Sequence, residues 1–199
     1  FPYTTLFRSE MFGQKISAPF FINAMTGGSD ASYTINRRLA QAAAKENIPM
    51  ALGSASILEK EIDQIKSFEI ARQENPDGLL FANVNPTTKP KVAQKIVQVL
   101  NVNALQIHLN SVQEAVMPEG DRDFHWLDNL KAIRQAVDVP IIIKEVGMGI
   151  DPESLRTLLI NDFSIIDLGG SGGTNFAQIE NERRKNQKLM FLEDIGLST

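Results

Sequence analysis

Six apolar runs recur along the chain, separated by polar stretches with helical character. The runs lie near residues 18–25, 48–53, 78–84, 104–109, 140–146 and 163–170. Most of them are nearly continuous in Ile, Leu, Val and Phe and do not alternate with polar residues. Such runs are typical of parallel β-strands that are covered on both faces. The pattern therefore predicts six parallel strands.

Two of the intervening stretches carry clear helix signals. "DASYTINRRLAQAAAKEN" begins with Asp30, a predicted N-cap, and has apolar residues at helical spacing. These apolar residues are Ile35, Leu39 and Ala42. "DPESLRTLLIND" offers Asp151 as N-cap, with Pro152 at the first helical position. Alternation of strands and helices predicts a parallel sheet with right-handed crossovers.

An open doubly wound sheet and a (β/α)₈ barrel both satisfy this order of elements. A dinucleotide-binding sheet would carry G-x-G-x-x-G after its first strand, where this chain has "MTGGSD". Polar residues instead follow all six apolar runs, and barrel active sites are built from such strand ends. They are Thr26, Ser54, Asn83, the group around His108, Lys144 and 171–175. We therefore predict an α/β fold of the (β/α)₈ TIM barrel type. Because a whole barrel takes about 250 residues, we expect this chain to be a partial (β/α)₈ TIM barrel with about six of its eight units.

Composition narrows the classes of partner and chemistry. The net charge is -4, so no basic surface suggests nucleic acid or an anionic membrane. The absence of cysteine excludes disulfides, thiolate chemistry and Cys-bound metals, and agrees with a cytoplasmic location. The opening "FPYTTLFRS" looks like a translated sequencing adapter, so we expect residues 1–9 to be non-native and residues 10–199 to form one domain.

Two of the strand ends suggest an anionic ligand. The run "DLGGSGGTNF" carries four glycines, whose N–H groups suit a phosphate or the edge of a flavin ring; a flexible turn is the alternative. Lys144, in a buried strand, has to reach an anion or the barrel mouth. It could bind phosphate, stabilise a reduced cofactor or form a Schiff base. An ion pair with Glu145 is disfavoured, because adjacent side chains of a strand point to opposite faces.

The stretch "LQIHLNSVQEAVMPEGDRDF" ends an apolar strand with many polar groups. His108 and Asn110 share one side of the strand and point to the barrel mouth if Ile107 and Leu109 face the helices. Glu114 suits a hard cation such as Mg²⁺, which takes one or two carboxylates plus substrate phosphates. Asp121 and Arg122 form either a solvated pair or part of a substrate loop. His125 and Trp126 are predicted packing residues, and "ENERRKNQK" a solvated helix face.

Five motifs together resemble the type 2 isopentenyl-diphosphate isomerases, from about Met11 onward. They are "INAMTGG", "HLNSVQE", "MPEGDRDF", "KEVG" and "GGSGGTNFAQIENERR". The resemblance implies an FMN-dependent (β/α)₈ barrel that interconverts isopentenyl and dimethylallyl diphosphate. It also implies Mg²⁺, a reduced flavin supplied through NADPH, and cytoplasmic tetramers or octamers.

By motif, the resemblance also assigns roles to individual residues. The implied flavin contacts are Ala24, Met25, Thr26, Ser54, Asn83, Lys144 and Thr174. Gln113 would lie beside the reacting carbons as the catalytic residue, Glu114 would bind Mg²⁺, and His108 and Asn110 would lie near the diphosphate. Because an amide is too weak a base to act alone, a flavin nitrogen is the expected proton carrier.

The chain departs from the family pattern in three places. Ser56 stands where some members have an arginine, and we expect the family's basic N-terminal segment and last two β/α units to be missing from this chain. We therefore expect a fragment that is itself inactive, with two open sheet edges. Two other functions stay open: a different FMN barrel oxidoreductase, such as an α-hydroxy-acid oxidase, and a non-catalytic phosphate-binding barrel.

Overall fold

Five parallel strands, in sequence order, form the central sheet of the protein. The structure is a computed structural model that describes residues 9–185 and 189–199. A short antiparallel hairpin comes first, with strands β1 (Ser9–Met11) and β2 (Gln14–Ile16). The sheet follows, with strands β3 (Met50–Ser54), β4 (Leu80–Val84), β5 (Ala104–Leu109), β6 (Ile141–Glu145) and β7 (Ile165–Asp167). Of the adapter-like residues 1–9, residues 1–8 lie outside the described part, and Ser9 opens β1.

The described residues form seven helices, most of which pack on one face of the sheet. They are α1 (Asp30–Glu46), α2 (Lys66–Glu74), α3 (Pro90–Leu100), α4 (Ser111–Val116), α5 (Leu127–Ala136), α6 (Pro152–Ile160) and α7 (Phe176–Glu182). Short 3₁₀ helices span Ala55–Glu59, Ile62–Ile65 and Met190–Leu192. One large apolar cluster joins α1, α2, α3, α5 and α6 to alternate residues of the strands. Helices on a single face are the arrangement of a barrel wall, although this sheet is not closed.

The opposite face of the sheet, which we call the inner face, is covered at its amino end by the hairpin. Phe12 and Phe21 place their rings edge-on against Phe81 of β4, at centroid distances of 5.6 and 5.9 Å. Ile16 is buried beside them. Gly13 makes the hairpin turn with φ of 76°, in the region that glycine adopts without strain. The sequence patterns above did not predict this hairpin.

Five of the six predicted strands form, and the first does not. The run near 18–25 contributes only a single parallel bridge, between Ile22 and Met50. The Asn23 side chain accepts the N–H of Ala24 at 2.8 Å, which withdraws that group from a strand ladder. The chain rejoins β3 at Thr26, whose carbonyl accepts the N–H of Gly53 at 2.9 Å.

The predicted N-cap is confirmed for α6 and is wrong for α1. Asp151 caps α6 as predicted, accepting the N–H groups of Glu153 and Ser154. The cap of α1 is Ser29 and not Asp30, which is the first helical residue. The buried face of α1 is also displaced from the predicted Ile35, Leu39 and Ala42: Ile35 and Ala42 are exposed and Leu39 is half-buried. The buried residues are Ser32, Asn36, Ala40 and Ala43.

Candidate active site at the carboxyl ends of the strands

Polar side chains gather on the inner face where the strands end. Register pairs Asn83 with Gln106, His108 with Lys144, and Lys144 with Asp167. All five therefore point to the same side of four neighbouring strands. Ile107 and Leu109 pack in the helix-side cluster, which is the condition given above for His108 to point to the barrel mouth. Their alternation puts His108 on the inner face.

Three of these residues form a buried chain of hydrogen bonds. The Asn83 amide nitrogen donates to Gln106 Oε1 at 3.2 Å, and Asn83 Oδ1 lies 2.7 Å from His108 Nδ1. Gln106 is fully buried, and its Nε2 has no hydrogen-bond partner among the described residues. Burial is the main reason that the pKa of His108 falls to about 4, with the nearby Lys144 charge adding to it. His108 is thus a neutral imidazole at pH 7.

Lys144 is buried on the inner face, and its ammonium has one hydrogen bond, to the Glu145 carbonyl at 2.9 Å. Burial lowers its pKa, and the negative charges of Asp167 and Glu145 oppose this shift. No ion pair joins Lys144 to the Glu145 carboxylate within the described part of the chain. The expectation that these side chains point to opposite faces is confirmed.

The Glu145 carboxylate lies on the helix side and organises the loop after β6. Its Oε2 accepts four successive backbone N–H groups, those of Val146, Gly147, Met148 and Gly149, at 2.5 to 3.2 Å. Burial raises the pKa of this carboxyl, and the four hydrogen bonds act against that shift. The loop is thereby wrapped around a side chain of the strand that it follows.

The glycine-rich loop after β7 packs directly on this turn. Gly169 has φ of 50°, and a Cβ there would lie 2.2 Å from the Glu145 carbonyl oxygen, so no larger residue fits. The Ser171 N–H donates to the Leu197 carbonyl at 2.7 Å. By contrast, nothing lies within 4 Å of a Cβ built on Gly173. The loop is fixed at its start and open further on, where its N–H groups are accessible to a ligand.

A second group of predicted residues lies at the end of β5 and on α4. Asn110 is buried and donates to Glu114 Oε1 at 3.0 Å and to Gln113 Oε1 at 3.3 Å. Glu114 Oε2 accepts the Asp121 N–H at 2.7 Å. Gln113 Nε2 donates to Glu180 of α7 at 3.2 Å. The structure therefore brings these three predicted residues into one cluster.

Glu180 belongs to this cluster, and the sequence analysis missed it. The stretch "ENERRKNQK" was predicted to be a solvated face, yet Glu180 and Asn181 are buried. Arg183 pairs with Glu180, and also with Glu119 at 2.7 Å, which ties α7 to the loop after α4. The available signal was the apolar spacing of "NFAQIE", which places Glu180 on the same helix face as the buried Ala177.

The loop 117–123 is held by backbone contacts of arginine. Arg122 donates to the carbonyls of Glu114, Asp121 and Met117 and makes no ion pair with the Asp121 carboxylate within the described residues. Asp121 Oδ1 instead accepts the N–H groups of Arg122 and Asp123. Both residues are exposed, as the solvated-pair alternative expected, but their side chains do not pair with each other within the described residues. Trp126 packs against the core as predicted, whereas the predicted packing role of His125 is wrong, because its side chain is 98% exposed.

The remaining predicted flavin contacts lie at the same end of the sheet with different exposures. Thr26 Oγ1 donates to Asn36 at 2.7 Å, and Ser54 is exposed and donates to Ser56 at 3.2 Å. Ala24 is half-buried and Met25 is 62% exposed. Thr174 is exposed, and its carbonyl would lie 3.3 Å from a Cβ on Gly147. Within the described part of the chain, no hydrogen bond joins the side chains of these residues to His108 or Gln113.

Ser56, which the resemblance sets where some isomerases have an arginine, makes hydrogen bonds that join two loops. Its hydroxyl lies 3.0 Å from Thr88 Oγ1 and accepts the Asn85 N–H at 2.9 Å. It thus joins the loop after β3 to the loop after β4. A serine in this position supplies a short hydrogen bond but no positive charge.

The donor groups fit the cofactors that the resemblance implies. A buried ammonium at Lys144 and accessible glycine N–H groups suit an anionic ring and a phosphate. Glu114 could supply one oxygen to Mg²⁺, with phosphates supplying others. In residues 9–185 and 189–199, no group of three or more His, Asp or Glu side chains is arranged to hold a metal by itself. No helix of the same residues is long and apolar enough to cross a membrane.

Comparisons with known proteins find close sequence relatives. A scan against protein-family models gives no match. Three curated proteins named isopentenyl-diphosphate delta-isomerase are similar to the chain. The protein of Limosilactobacillus reuteri is 46% identical over 93% of this chain, that of Listeria welshimeri 47% over 95%, and that of Latilactobacillus sakei 44% over 96%. The chain covers only 53 to 55% of each, so it spans about half the length of these relatives.

Solved structures support the fold. The lactate oxidase of Pediococcus acidilactici gives a TM-score of 0.57 at 14% identity, covering 88% of this chain and 55% of the oxidase. A mandelate oxidase with a monooxide FMN adduct gives 0.52 at 14% identity, covering 88% and 56%. Identities this low show the fold alone. They confirm the predicted class, an α/β fold forming part of a TIM barrel.

Proposed function

Since the chain is homologous over nearly its whole length to isopentenyl-diphosphate delta-isomerases, we propose that the full-length protein interconverts isopentenyl and dimethylallyl diphosphate. The observation that carries the proposal is the 46% identity along 185 residues, in a chain whose polar groups converge at the strand ends. Reduced FMN and Mg²⁺ are the proposed cofactors and NADPH the proposed reductant. A cytoplasmic homo-oligomer remains our prediction.

The inner-face residues are proposed to receive the flavin. Bound reduced FMN would supply an electron-rich ring beside the substrate and a nitrogen able to carry a proton. Lys144 would offset negative charge on that ring, because its ammonium is buried and has only a carbonyl as hydrogen-bond partner in the described structure. Asn83 and the open part of the glycine-rich loop would fix the orientation of the ring and its phosphate.

The cluster on α4 is proposed to receive the substrate. Gln113 would lie against the reacting carbons and exclude water, with its amide oriented by Glu180. Glu114 would bind Mg²⁺ and Asn110 would contact the diphosphate. Adding a proton to an unactivated alkene builds positive charge on carbon, so fixed negative or electron-rich groups around this position lower the barrier.

Two other functions predict different results. An α-hydroxy-acid oxidase shares the fold, but the similarity to the oxidase structures is one of fold only. Hydride removal by such an enzyme needs a base at the flavin, and His108 would be a weak one, because its pKa is lowered to about 4. A non-catalytic phosphate-binding barrel would purify without yellow colour and would be indifferent to a change at Gln113.

The test is an assay of the full-length protein with isopentenyl diphosphate, Mg²⁺ and chemically reduced FMN. We expect dimethylallyl diphosphate to form, and to form without a reductant only when FMN is already reduced. Turnover by a preparation kept fully oxidised would contradict the proposed role of the reduced ring. Oxidation of lactate or mandelate in place of isomerisation would favour the oxidoreductase. For the 199-residue chain alone we expect no turnover.

A further inference from the structure

We propose that Gln106 and Asn83 are positioning residues that fix His108 in one neutral form, with its proton on Nδ1 and its Nε2 bare. These three residues form a hydrogen-bond chain inside the sheet without any bound cofactor. The chain runs from β5 to β4 and back to β5, through Gln106, Asn83 and His108 in that order.

The direction of the chain follows from what each atom can do. Gln106 Oε1 can only accept, so the Asn83 group that faces it at 3.2 Å is the amide nitrogen. The other end of that amide, Oδ1, then faces His108 Nδ1 at 2.7 Å. Oδ1 is also an acceptor only, so the proton of this short hydrogen bond belongs to Nδ1. Turning the Asn83 amide alone would set its oxygen against the Gln106 oxygen, so the chain reverses only if the Gln106 amide turns as well.

The surroundings oppose a second proton on the ring. Burial and the Lys144 ammonium both disfavour a positive charge there, and together they outweigh the hydrogen bond to the Val84 carbonyl, which favours it. The neighbouring inner-face groups are Lys144 on β6 and, beyond it, Asp167 on β7. With Nδ1 occupied by Asn83, Nε2 has no side-chain hydrogen-bond partner among the described residues.

The position of this proton determines which ligand groups His108 can bind. A bare Nε2 accepts a hydrogen bond and cannot donate one to a phosphate oxygen. It fits a donor, such as a water bound to Mg²⁺ or a protonated diphosphate oxygen. This last step rests on the proposed function; the position of the proton does not.

The direct test is ¹⁵N NMR of the 199-residue chain with labelled histidine. The protonated and bare nitrogens of a neutral imidazole resonate in well-separated regions, and the chain has only two histidines, so a His125→Gln variant assigns the spectrum. At pH 7 we expect the His108 proton on Nδ1. A proton on Nε2, or an imidazolium, would overturn the inference. The outcome is independent of turnover, so an inactive full-length protein would refute the proposed isomerase and leave this result unchanged.

Variants test the role of Gln106. Gln106→Met keeps the volume but removes the acceptor, so we expect Asn83 to rotate and the Nε2-protonated form to appear as a second population. Gln98→Met, at an exposed position on α3, is the matched control and should leave the spectrum unchanged. A single Nδ1-protonated form in Gln106→Met would show that Gln106 has no such role.

If Gln106→Met does not fold, Asn83→Asp supplies a reference. A carboxylate only accepts, so this variant should hold the proton on Nδ1, and the added charge should raise the His108 pKa by about 1 to 3 units. At a pH where both rings are neutral, the wild-type spectrum should show the same nitrogen protonated as this reference, and the opposite assignment would contradict the proposed direction of the chain.

Discussion

Polar groups are hydrogen-bonded to different extents at the two ends of the sheet. At the amino end, the Arg72 guanidinium donates to the carbonyls of Asn75, Pro76, Gly78 and Asn101 and to the side chain of Asn103, at 2.9 to 3.1 Å. At the carboxyl end, Gln106 Nε2, Asn110 Oδ1 and Asn181 Oδ1 are buried without partners among the described residues.

This difference separates structural polar groups from candidate functional ones. An unpaired buried polar atom costs about 1 to 3 kcal/mol, so a fold tolerates a cluster of them only where something else compensates. Arg72 satisfies the carbonyls of loops that join three elements. The carboxyl end keeps donors and acceptors available. Asn75 Nδ2, buried and unpaired at the amino end, is the exception.

The largest expected effect comes from the amino end. Arg72→Met removes five hydrogen bonds and leaves several carbonyls unpaired, so we expect a loss of about 3 to 5 kcal/mol in the free energy of unfolding. Arg134→Met is the matched control: this arginine makes one exposed hydrogen bond, to the Asp162 carbonyl, and its loss should cost less than about 1 kcal/mol. Equal urea midpoints for the two variants would remove the contrast.

Acidification should act at the carboxyl end through His108. Its folded pKa is about 4 against an ordinary value of 6.5, so the unfolded chain binds the proton first as the pH falls. Stability should therefore decrease between pH 6.5 and 4, by up to about 3 kcal/mol. Glu145, whose pKa is raised, acts in the opposite sense over acidic pH. The check is the difference in urea unfolding between wild type and His108→Gln; parallel pH profiles would refute the assignment.

A smaller loss is expected in the glycine-rich loop, and only at its fixed start. Gly169→Ala puts a Cβ against the Glu145 carbonyl in a left-handed conformation, so we expect a loss of about 2 to 3 kcal/mol. Gly173→Ala meets no atom within 4 Å and should change stability by less than about 0.5 kcal/mol. Thermal unfolding of the two variants measures the difference, and an equally stable Gly169→Ala would show that the loop is not fixed there.

Substitution of Gln113 should have the smallest effect on stability and a large effect on activity. In the full-length protein, Gln113→Ala should reduce kcat/KM about 100-fold while changing stability by less than about 1 kcal/mol. Gln178→Ala, on the exposed face of α7, is the control and should leave both unchanged. Unaltered kcat/KM in Gln113→Ala would favour the non-catalytic barrel.

The sheet was predictable from sequence because its strands are nearly uniform in composition. The run 104–109 corresponds to β5 without a shift, and the other four strands lie within their predicted runs or extend beyond them by one residue. The first run failed because a local contact, from the Asn23 side chain to the next N–H, competed with the ladder. Periodicity does not detect such contacts.

The candidate site was predictable only where strand alternation decides direction. His108 and Lys144 point as expected, because every second residue of a strand shares a face. Glu180 and Asn36 were missed because their partners are distant in sequence: Glu180 bonds Gln113, and Asn36 bonds the Ser67 carbonyl at 2.7 Å. Only tertiary structure reveals why a polar residue on a helix is buried.

The turn after β6 has a consequence for where an anion can settle. Four consecutive N–H groups directed to one point attract negatively charged ligands in many proteins. Here Glu145 fills that position with its own carboxylate, an internal counter-ion that excludes any phosphate from the turn. Of the two adjacent loops, only the one with the open glycines still has free space beside its N–H groups, so a phosphate that binds at this end of the sheet should bind there. The Glu145 side chain alone accounts for this difference between the loops.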